Sequence, residues 1–347
     1  MTTSFPSGLG ASFGFTTEGT VGTMTTSSMR WVRPDKAPFA LKKTIAQSTG
    51  LHQGLFEEGK RRAYVQREGG GTISMDLIDK QLGLFFQHAL GAWSGTGNGT
   101  ITQVGGSAAW LQNFYPGDTT GKSLSVQLGM PFTNGTIQPL NYPGCKILDF
   151  TISCQRGGLA KVDATIDGWD EQTSTGYAAP SFVASDVYSF NQMTVKFGGT
   201  PSTTSGVTSI SAGAVPTGLV DNLSIKVTNP MKVDRFQQGT QTKQEQLPNN
   251  FRQIEVSFDI EWAAVADVYT AFAADTSTAM EITWTGGIAG GSNHFFVDII
   301  IPQLFFEEAS PPLDGPDVIT QKVKAKGLDN GADNQIQLQY QSTDTSI

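Results

Sequence analysis

Enzymes and metal sites need reactive side chains at workable spacing, and in this chain of 347 residues the reactive side chains are scattered. The histidines are His52, His88 and His294, and none forms a metal-spaced pair with a cysteine or with another histidine. His88 falls inside a helical pattern, where a satisfied structural histidine is expected. Cys145 and Cys154 flank an alternating apolar run at 146–153. As a strand, that run holds them about 30 Å apart at roughly 3.3 Å per residue. A disulfide needs Cα atoms within about 7 Å, so both read as free thiols, outside any secreted disulfide framework. There is no G-x-S-x-G and no P-loop pattern. Gly69-Gly70-Gly71 lies between two strand-like runs, 62–66 and 72–77, and reads as a hairpin turn in which glycine supplies positive φ. The run Gly286-Gly287-Ile288-Ala289-Gly290-Gly291 joins two strands and opens no helix, so it lacks the setting of a phosphate cradle.

Charged residues do gather. Carboxylates cluster at Glu57-Glu58, at Asp167, Asp170 and Glu171, and at Glu307-Glu308. A glycosidase would need two of them facing each other across a cleft; a solvated acidic surface is the simpler reading. Basic residues gather at Lys42-Lys43 and Lys60-Arg61-Arg62, with Arg67 nearby. A nucleic-acid site calls for interleaved aromatics and net positive charge. Only Tyr64 is close, Glu57 and Glu58 precede the run, and the chain carries a net charge of -8. Tight binding to phosphates is therefore not expected, and pairing with an acidic protein surface suits the basic cluster better. Only 16% of residues are charged, against about 25% in an average soluble chain, which suggests that much surface is hidden in protein contacts. No catalytic residue, metal site or cofactor is expected.

The elements that carry these residues are mostly strands. Residues 253–262 alternate apolar and polar without a break, so one face is buried and the other wet. The runs 72–77 (Ile73, Met75 and Leu77 inward), 123–128, 148–154, 160–166 and 223–227 share the pattern. At 335–341, Ile336, Leu338 and Tyr340 stand opposite four glutamines. The run 295–301 is almost wholly apolar and reads as a strand buried on both faces. Two helices are expected. One is capped by Asp79, carries Leu82, Phe85, Phe86, Ala89 and Leu90, and ends at Gly91. The other covers 263–274, with Val265, Val268, Tyr269 and Phe272 on one side. Residues 93–121 and 198–218 read as long loops. No stretch reaches the ~18 apolar residues of a membrane helix, and residues 1–26 lack the pattern of a signal peptide. The order of elements in the first half, a strand near 38–45, a long loop, two strand-like segments, a helix and three more strands, is matched in the second half from 221 onward, where the single strand 254–262 precedes the helix. Residue identities do not recur, so the expectation is a structural duplication.

At this point the residues resemble a family. Gly59-Lys60-Arg61-Arg62-Ala63-Tyr64-Val65, then Gly70-Gly71-Thr72-Ile73-Ser74-Met75-Asp76-Leu77, then Leu84-Phe85-Phe86-Gln87-His88-Ala89-Leu90-Gly91 are similar to the major tail tube proteins of long-tailed bacteriophages (siphophages), in their larger, two-domain form. So are Ser123-Leu124-Ser125-Val126-Gln127, Tyr142-Pro143-Gly144-Cys145-Lys146, Gly157-Gly158-Leu159-Ala160-Lys161-Val162, residues 298–302, and Pro312-Leu313-Asp314-Gly315. The likeness is one of texture and order over most of 35–330.

The resemblance implies a mainly β chain of tandem tail-tube-like β-sandwich or barrel domains, each with a flanking α-helix. It divides into a flexible N-terminal arm (1–34), β domain 1 (35–180), β domain 2 (181–330, with the Gly/Ser/Thr loop 198–218), and a C-terminal strand and tail (331–347). The implied role is structural. The subunits form rings, as trimers with pseudo-sixfold symmetry, and the rings stack into a hollow virion tail made in the host cytoplasm. The implied partners are the chain itself, a tape measure protein in the lumen, and tail terminator and distal tail proteins. DNA passes without specific binding, and no membrane is involved. The long loops 47–60 and 229–249 suit stacking, with Leu55, Phe56, Glu57, Lys60 and Arg61 in the first and Met231, Val233 and Phe236 in the second. Ser74, Asp76, Gln253, Glu255, Ser257 and Asp259 are the expected lumen wall, since a neutral or acidic wall lets phosphates slide past. Two rival readings stand beside this one. One is another virion shell or decoration subunit. The other is a carbohydrate-binding or carbohydrate-cleaving β-sandwich, for which Trp93, Trp110, Phe114 and Tyr115 would supply the aromatic platform.

Overall fold

A computed structural model describes residues 7–51, 54, 56–91, 99–313 and 315–347. His52, Leu55 and Trp93 lie outside the described residues. The chain is mainly β, as the alternating pattern predicts. In order, its first half carries β1 (Ser12–Thr17), β2 (Arg30–Val32), β3 (Pro34–Lys36), β4 (Phe39–Gln47), β5 (Arg62–Asp76), helix α1 (Gly83–Leu90), β6 (Gly99–Gln103), β7 (Trp110–Phe114), β8 (Leu124–Pro131), β9 (Ile137–Cys154) and β10 (Ala160–Gly168). Antiparallel pairing gives one sheet in the order β4-β5-β10-β9 and a second in the order β2-β1-β8-β9. The long β9 belongs to both: its first part pairs with β8 and its last part with β10. The two layers close on aromatic contacts. The Phe13 and Phe39 rings lie 5.6 Å apart, and Phe39 and Tyr142 lie 5.1 Å apart.

The second half carries β11 (Met193–Phe197), β12 (Thr200–Thr204), β13 (Val207–Ser211), β14 (Val220–Thr228), β15 (Met231–Lys232), β16 (Leu247–Pro248), β17 (Gln253–Glu261), helix α2 (Tyr269–Ala273), β18 (Thr278–Gly290), β19 (Asn293–Glu308), β20 (Thr320–Gly327) and β21 (Gln337–Ser342). Neighbours run β14-β17-β20-β19-β18, the same order as β4-β5-β10-β9-β8. Here β19 is the long strand shared by two layers, and Phe197 of β11 meets Phe258 of β17 at 5.5 Å. The halves share one ladder, because β14 also pairs with the end of β9. β21 adds to β19 and carries β7 and β6 from the first half.

The apolar members of the alternation form the core in rows. Ile73, Ala164, Phe150, Val227 and Ile254 stand opposite one another in turn, and Met75, Val162, Ile152, Ile225 and Val256 form the next row. All are buried, and each large one contributes roughly 1.5–3 kcal/mol by leaving water. A one-residue slip would send every one of them to the wet face, so the register is strongly fixed.

Several expectations are corrected. The segment taken as a flexible arm over 1–34 contains β1, which is nearly all buried between β2 and β8. Gly14 allows this, since a Cβ there would meet the Trp31 ring at 2.7 Å. Gly69-Gly70-Gly71 makes no turn but lies inside the continuous strand β5. Other backbone crosses close over it: a Cβ on Gly70 would stand 2.6 Å from the Ile166 carbonyl. Helix α1 is buried on every side, so its stripe marks only part of the covered surface. Asp79 does not cap it and accepts the Asp186 N–H at 2.9 Å instead; Gly91 ends it as expected. Helix α2 has only five residues, and Val265 is exposed while Val268 is buried. The stretches read as loops contain the hairpins β6/β7 and β12/β13. Gln337 and Gln341 are buried as well as their apolar neighbours, because β21 is a strand covered on both faces.

Candidate assembly surfaces

The polar members of the same alternation make one continuous face. Ser74, Asp163, Thr151, Lys226, Glu255 and Lys326 stand opposite one another across six strands. Asp76, Lys161, Ser153, Ser224, Ser257 and Lys324 form the adjacent row. All six residues expected on a lumen wall therefore lie on one face, with Gln253 and Asp259 on flanking rows of β17. Gln253, Glu255 and Ser257 are exposed, Asp76 and Asp259 half-buried, and Ser74 nearly buried beside β3. Carboxylates and ammonium groups interleave on this face. Lys161 bridges Asp35 and Asp76 at 2.6 Å each, and Arg156 pairs with Asp221 at 2.7 Å. The fixed charges largely cancel locally, which weakens the field that the face presents to its surroundings.

The second surface is the far end of the β4-β5 hairpin. Residues 42–46 of β4 are exposed on both faces, as are Phe56 (82%), Glu57, Lys60 and Arg61 beyond them. Arg61 pairs with Glu58 at 2.9 Å. The second candidate loop, 229–249, does not project in a matching way. Its Met231, Val233 and Phe236 are half-buried, and it lies along the base of the hairpin. The Arg67 N–H donates to the Gln241 carbonyl at 2.8 Å, and the Gln241 amide donates to the Tyr64 carbonyl at 3.1 Å.

Lys243 fastens this loop. It is fully buried and donates to Asp167 at 2.6 Å and Glu68 at 3.0 Å, both in the first half. Gln246 reaches Asp167 and the Gly144 carbonyl, and Lys146 donates to Glu245 at 2.6 Å. Burial raises the Asp167 carboxyl above its ordinary value, and Lys243 partly offsets that. The carboxylates Asp167, Asp170 and Glu171 thus resolve into structural pairs. Asp170 takes Arg67, and Glu171 accepts the Tyr142 hydroxyl at 2.7 Å. Glu307 and Glu308 stay exposed at the end of β19.

The remaining reactive groups are structural. His88 is buried and contacts the Thr17 hydroxyl at 3.0 Å; burial and nearby lysines lower it to about 3, so it stays neutral. Cys145 and Cys154 are free and buried. Among the described residues, no group of three or more His, Cys, Asp or Glu is arranged to hold a metal, and no helix is long and apolar enough to cross a membrane. Phe114 is fully buried and cannot serve as a sugar platform, which leaves Trp110 and Tyr115 half-covered beside it. Sequence reasoning missed several buried charges, among them Lys243, Lys146, Glu18 and Asp298. Glu18 accepts N–H groups of Gly22 and Gly144 at 2.7 and 2.9 Å, together with the Ser123 and Ser125 hydroxyls. Asp298 is pushed up to about 7 by burial, although Thr283 donates to it at 2.8 Å.

Comparison with known families gives a match over residues 8–327, to the family described as phage tail tube protein. No curated protein matches the chain.

Proposed function

The chain belongs to the phage tail tube protein family, and from that premise we propose that it is a ring-forming subunit with two repeated halves. Membership makes it a structural, self-associating protein of the virion tail. In the proposed reading, residues 35–180 and 181–330 are the repeated domains, three copies close a pseudo-sixfold ring, and rings stack into the tube of a long-tailed phage. The lumen holds a tape measure protein and then conducts DNA, tail terminator and distal tail proteins cap the ends, and assembly takes place in the host cytoplasm. The chain performs no catalysis in this role.

One observation carries the reading: the strand order β4-β5-β10-β9-β8 recurs as β14-β17-β20-β19-β18, and the two sets meet edge to edge through β9 and β14. A sheet built from repeated units that already joins edge to edge can go on joining, and closure into a ring removes the open edges. The polar face of this ladder supplies the lumen wall, with Ser74, Asp76, Gln253, Glu255, Ser257 and Asp259 on it. The exposed hairpin end with Phe56, Glu57, Lys60 and Arg61 supplies the ring-to-ring contact, and the loop carrying Met231, Val233 and Phe236 buttresses it. Electron microscopy of the purified protein, averaged over end-on views, tests this. Hollow rings or tubes with three chains per ring are expected. Six chains per ring overturn the repeated-half stoichiometry, and persistent monomers at high concentration overturn the reading.

A further inference from the structure

We infer that successive copies join through the outer edge of β4 and the C-terminal end of β19, in the register that the chain already uses between its own halves, so that Lys42 of one copy faces Glu308 of the next. The inference rests on the ring reading and names its joint.

The register follows from two landmarks. In the first half a bulge passes over Leu148, since Ile147 pairs with Ile166 and Asp149 with Thr165. In the second half a bulge passes over Glu307 at the matching place, since Phe306 pairs with Ala325 and Glu308 with Lys324. Glu308 therefore stands where Asp149 stands. The second landmark is the glycine that ends β10 and β20. Gly168 pairs with Gly69, which pairs with Leu41; Gly327 pairs with Ile254, which pairs with Val227. Leu41 therefore matches Val227, and the next residue, Lys42, matches Thr228. Within the chain Thr228 faces Asp149. Between copies, Lys42 then faces Glu308.

Both edges are open to such a partner. β4 pairs with β5 on one side, and among the described residues no strand lies on the other. β18 ends opposite Leu304, which among the described residues leaves 305–308 with β20 on one side only. The chemistry is complementary. Lys324 pairs with Glu308, and Lys42 faces Glu68 across β4 and β5. Joining the edges produces a cross-strand row Lys324, Glu308, Lys42, Glu68, with alternating sign on neighbouring strands. Lys43 arrives beside Glu307 in the same step. Two β4 edges, or two β19 ends, would instead bring like charges together, so the row also blocks the wrong pairings. Pro311 and Pro312 follow and lack the N–H groups to extend the ladder, so the joint is short.

The test is disulfide trapping in the full chain. Directly opposed residues of an antiparallel pair have Cα atoms about 4.5–5.5 Å apart, within disulfide range. The double variant Lys42→Cys with Glu308→Cys should, on oxidation of assembled rings, lose its monomer band and give a covalent ladder ending at the closed ring. The variant Thr44→Cys with Glu308→Cys, two residues out of register, should remain monomeric on the same gel. Lys42→Glu, which places three carboxylates in the row, should abolish ring formation; because it also sets a like charge opposite Glu68 within the chain, the neutral variant Lys42→Gln serves beside it and should weaken ring formation while leaving the thermal melt of the monomer unchanged. Equal cross-linking of both cysteine pairs overturns the register. Rings that form but show no link in the Lys42/Glu308 pair overturn the joint and leave the tube reading standing. A parent protein that never forms rings overturns both.

Discussion

Replacing Lys243 by methionine should destabilise the chain by about 3–5 kcal/mol, the range found when one partner of a buried ion pair is removed. The side chain is fully covered and holds Asp167 at 2.6 Å and Glu68 at 3.0 Å. Methionine keeps most of the volume, so the loss is one of charge rather than packing. Asp167 is already raised by burial; without the ammonium group it must either take up a proton or remain as an uncompensated buried anion. Glu68 is more exposed and recovers water, so most of the effect comes from Asp167. Natural domains hold only about 5–15 kcal/mol in total, so the loss is a large share. The assay is urea unfolding followed by tryptophan fluorescence. With a slope of about 3 kcal/mol/M, the midpoint should fall by more than about 1 M. The double variant Lys243→Met with Asp167→Asn should recover much of the loss, because the stranded charge is gone. A Lys243→Met midpoint equal to that of the parent would refute the claim that this triad fastens loop 229–249 to the first half.

Asp298 carries a carboxyl raised from 3.8 to about 7. Its folded form holds the proton more tightly than the unfolded form does, so stability is full below pH 4 and declines as pH rises toward 7. Asp298→Asn should therefore raise the melting temperature at pH 8, leave it unchanged at pH 4, and flatten the profile between; an unchanged profile would count against the assignment. Gly70→Ala should cost about 1–3 kcal/mol in thermal unfolding, because a Cβ would press on the Ile166 carbonyl and cannot be accommodated without backbone movement. A neutral result would mean that the crossing over β5 is looser than described. Phe56→Ser should leave the melt unchanged, since the ring is 82% exposed, yet shorten or abolish tubes seen by negative-stain microscopy while single rings persist. Tubes of normal length would remove the hairpin end from the stacking contact.

Strands with one wet face were legible because alternation records both faces at once: Ile254, Val256, Phe258 and Ile260 inward, with Gln253, Glu255 and Ser257 outward. The same rule holds along β17, whereas on β5 the polar member Ser74 is covered beside β3. The rule failed where both faces are covered. β1 looks like a polar arm because Ser12, Gly14 and Thr16 separate its phenylalanines, yet all are buried. The glutamines of β21 look wet and are buried for the same reason. Glycines at 69–71 carry two meanings in a sequence, positive φ or close approach, and only the neighbouring backbone distinguishes them. Lys243 was illegible because a lysine in a polar loop gives no sign that two carboxylates far along the chain will surround it. The loop 229–249 reads as a ring-to-ring contact element; the contacts it makes within the chain, through Lys243 and Gln241, run to the first half, and those depend on the relation between halves rather than on any local pattern.

The β9-β14 joint bears on how a ring comes into being. Because it lies within one chain, it forms at the high effective concentration of tethered segments and does not depend on how many copies are present. In a ring built as proposed, half of all edge joints are thus made during folding, and only the remainder wait for collisions between copies. The two kinds of joint also differ in character. The internal one sets Thr228 against Asp149, whereas the one between copies is laced with lysine and glutamate and so responds to ionic strength. Salt would then act on the concentration at which rings first nucleate while leaving the folded subunit as it is, so the cell's ionic conditions could time tube growth without touching the building block.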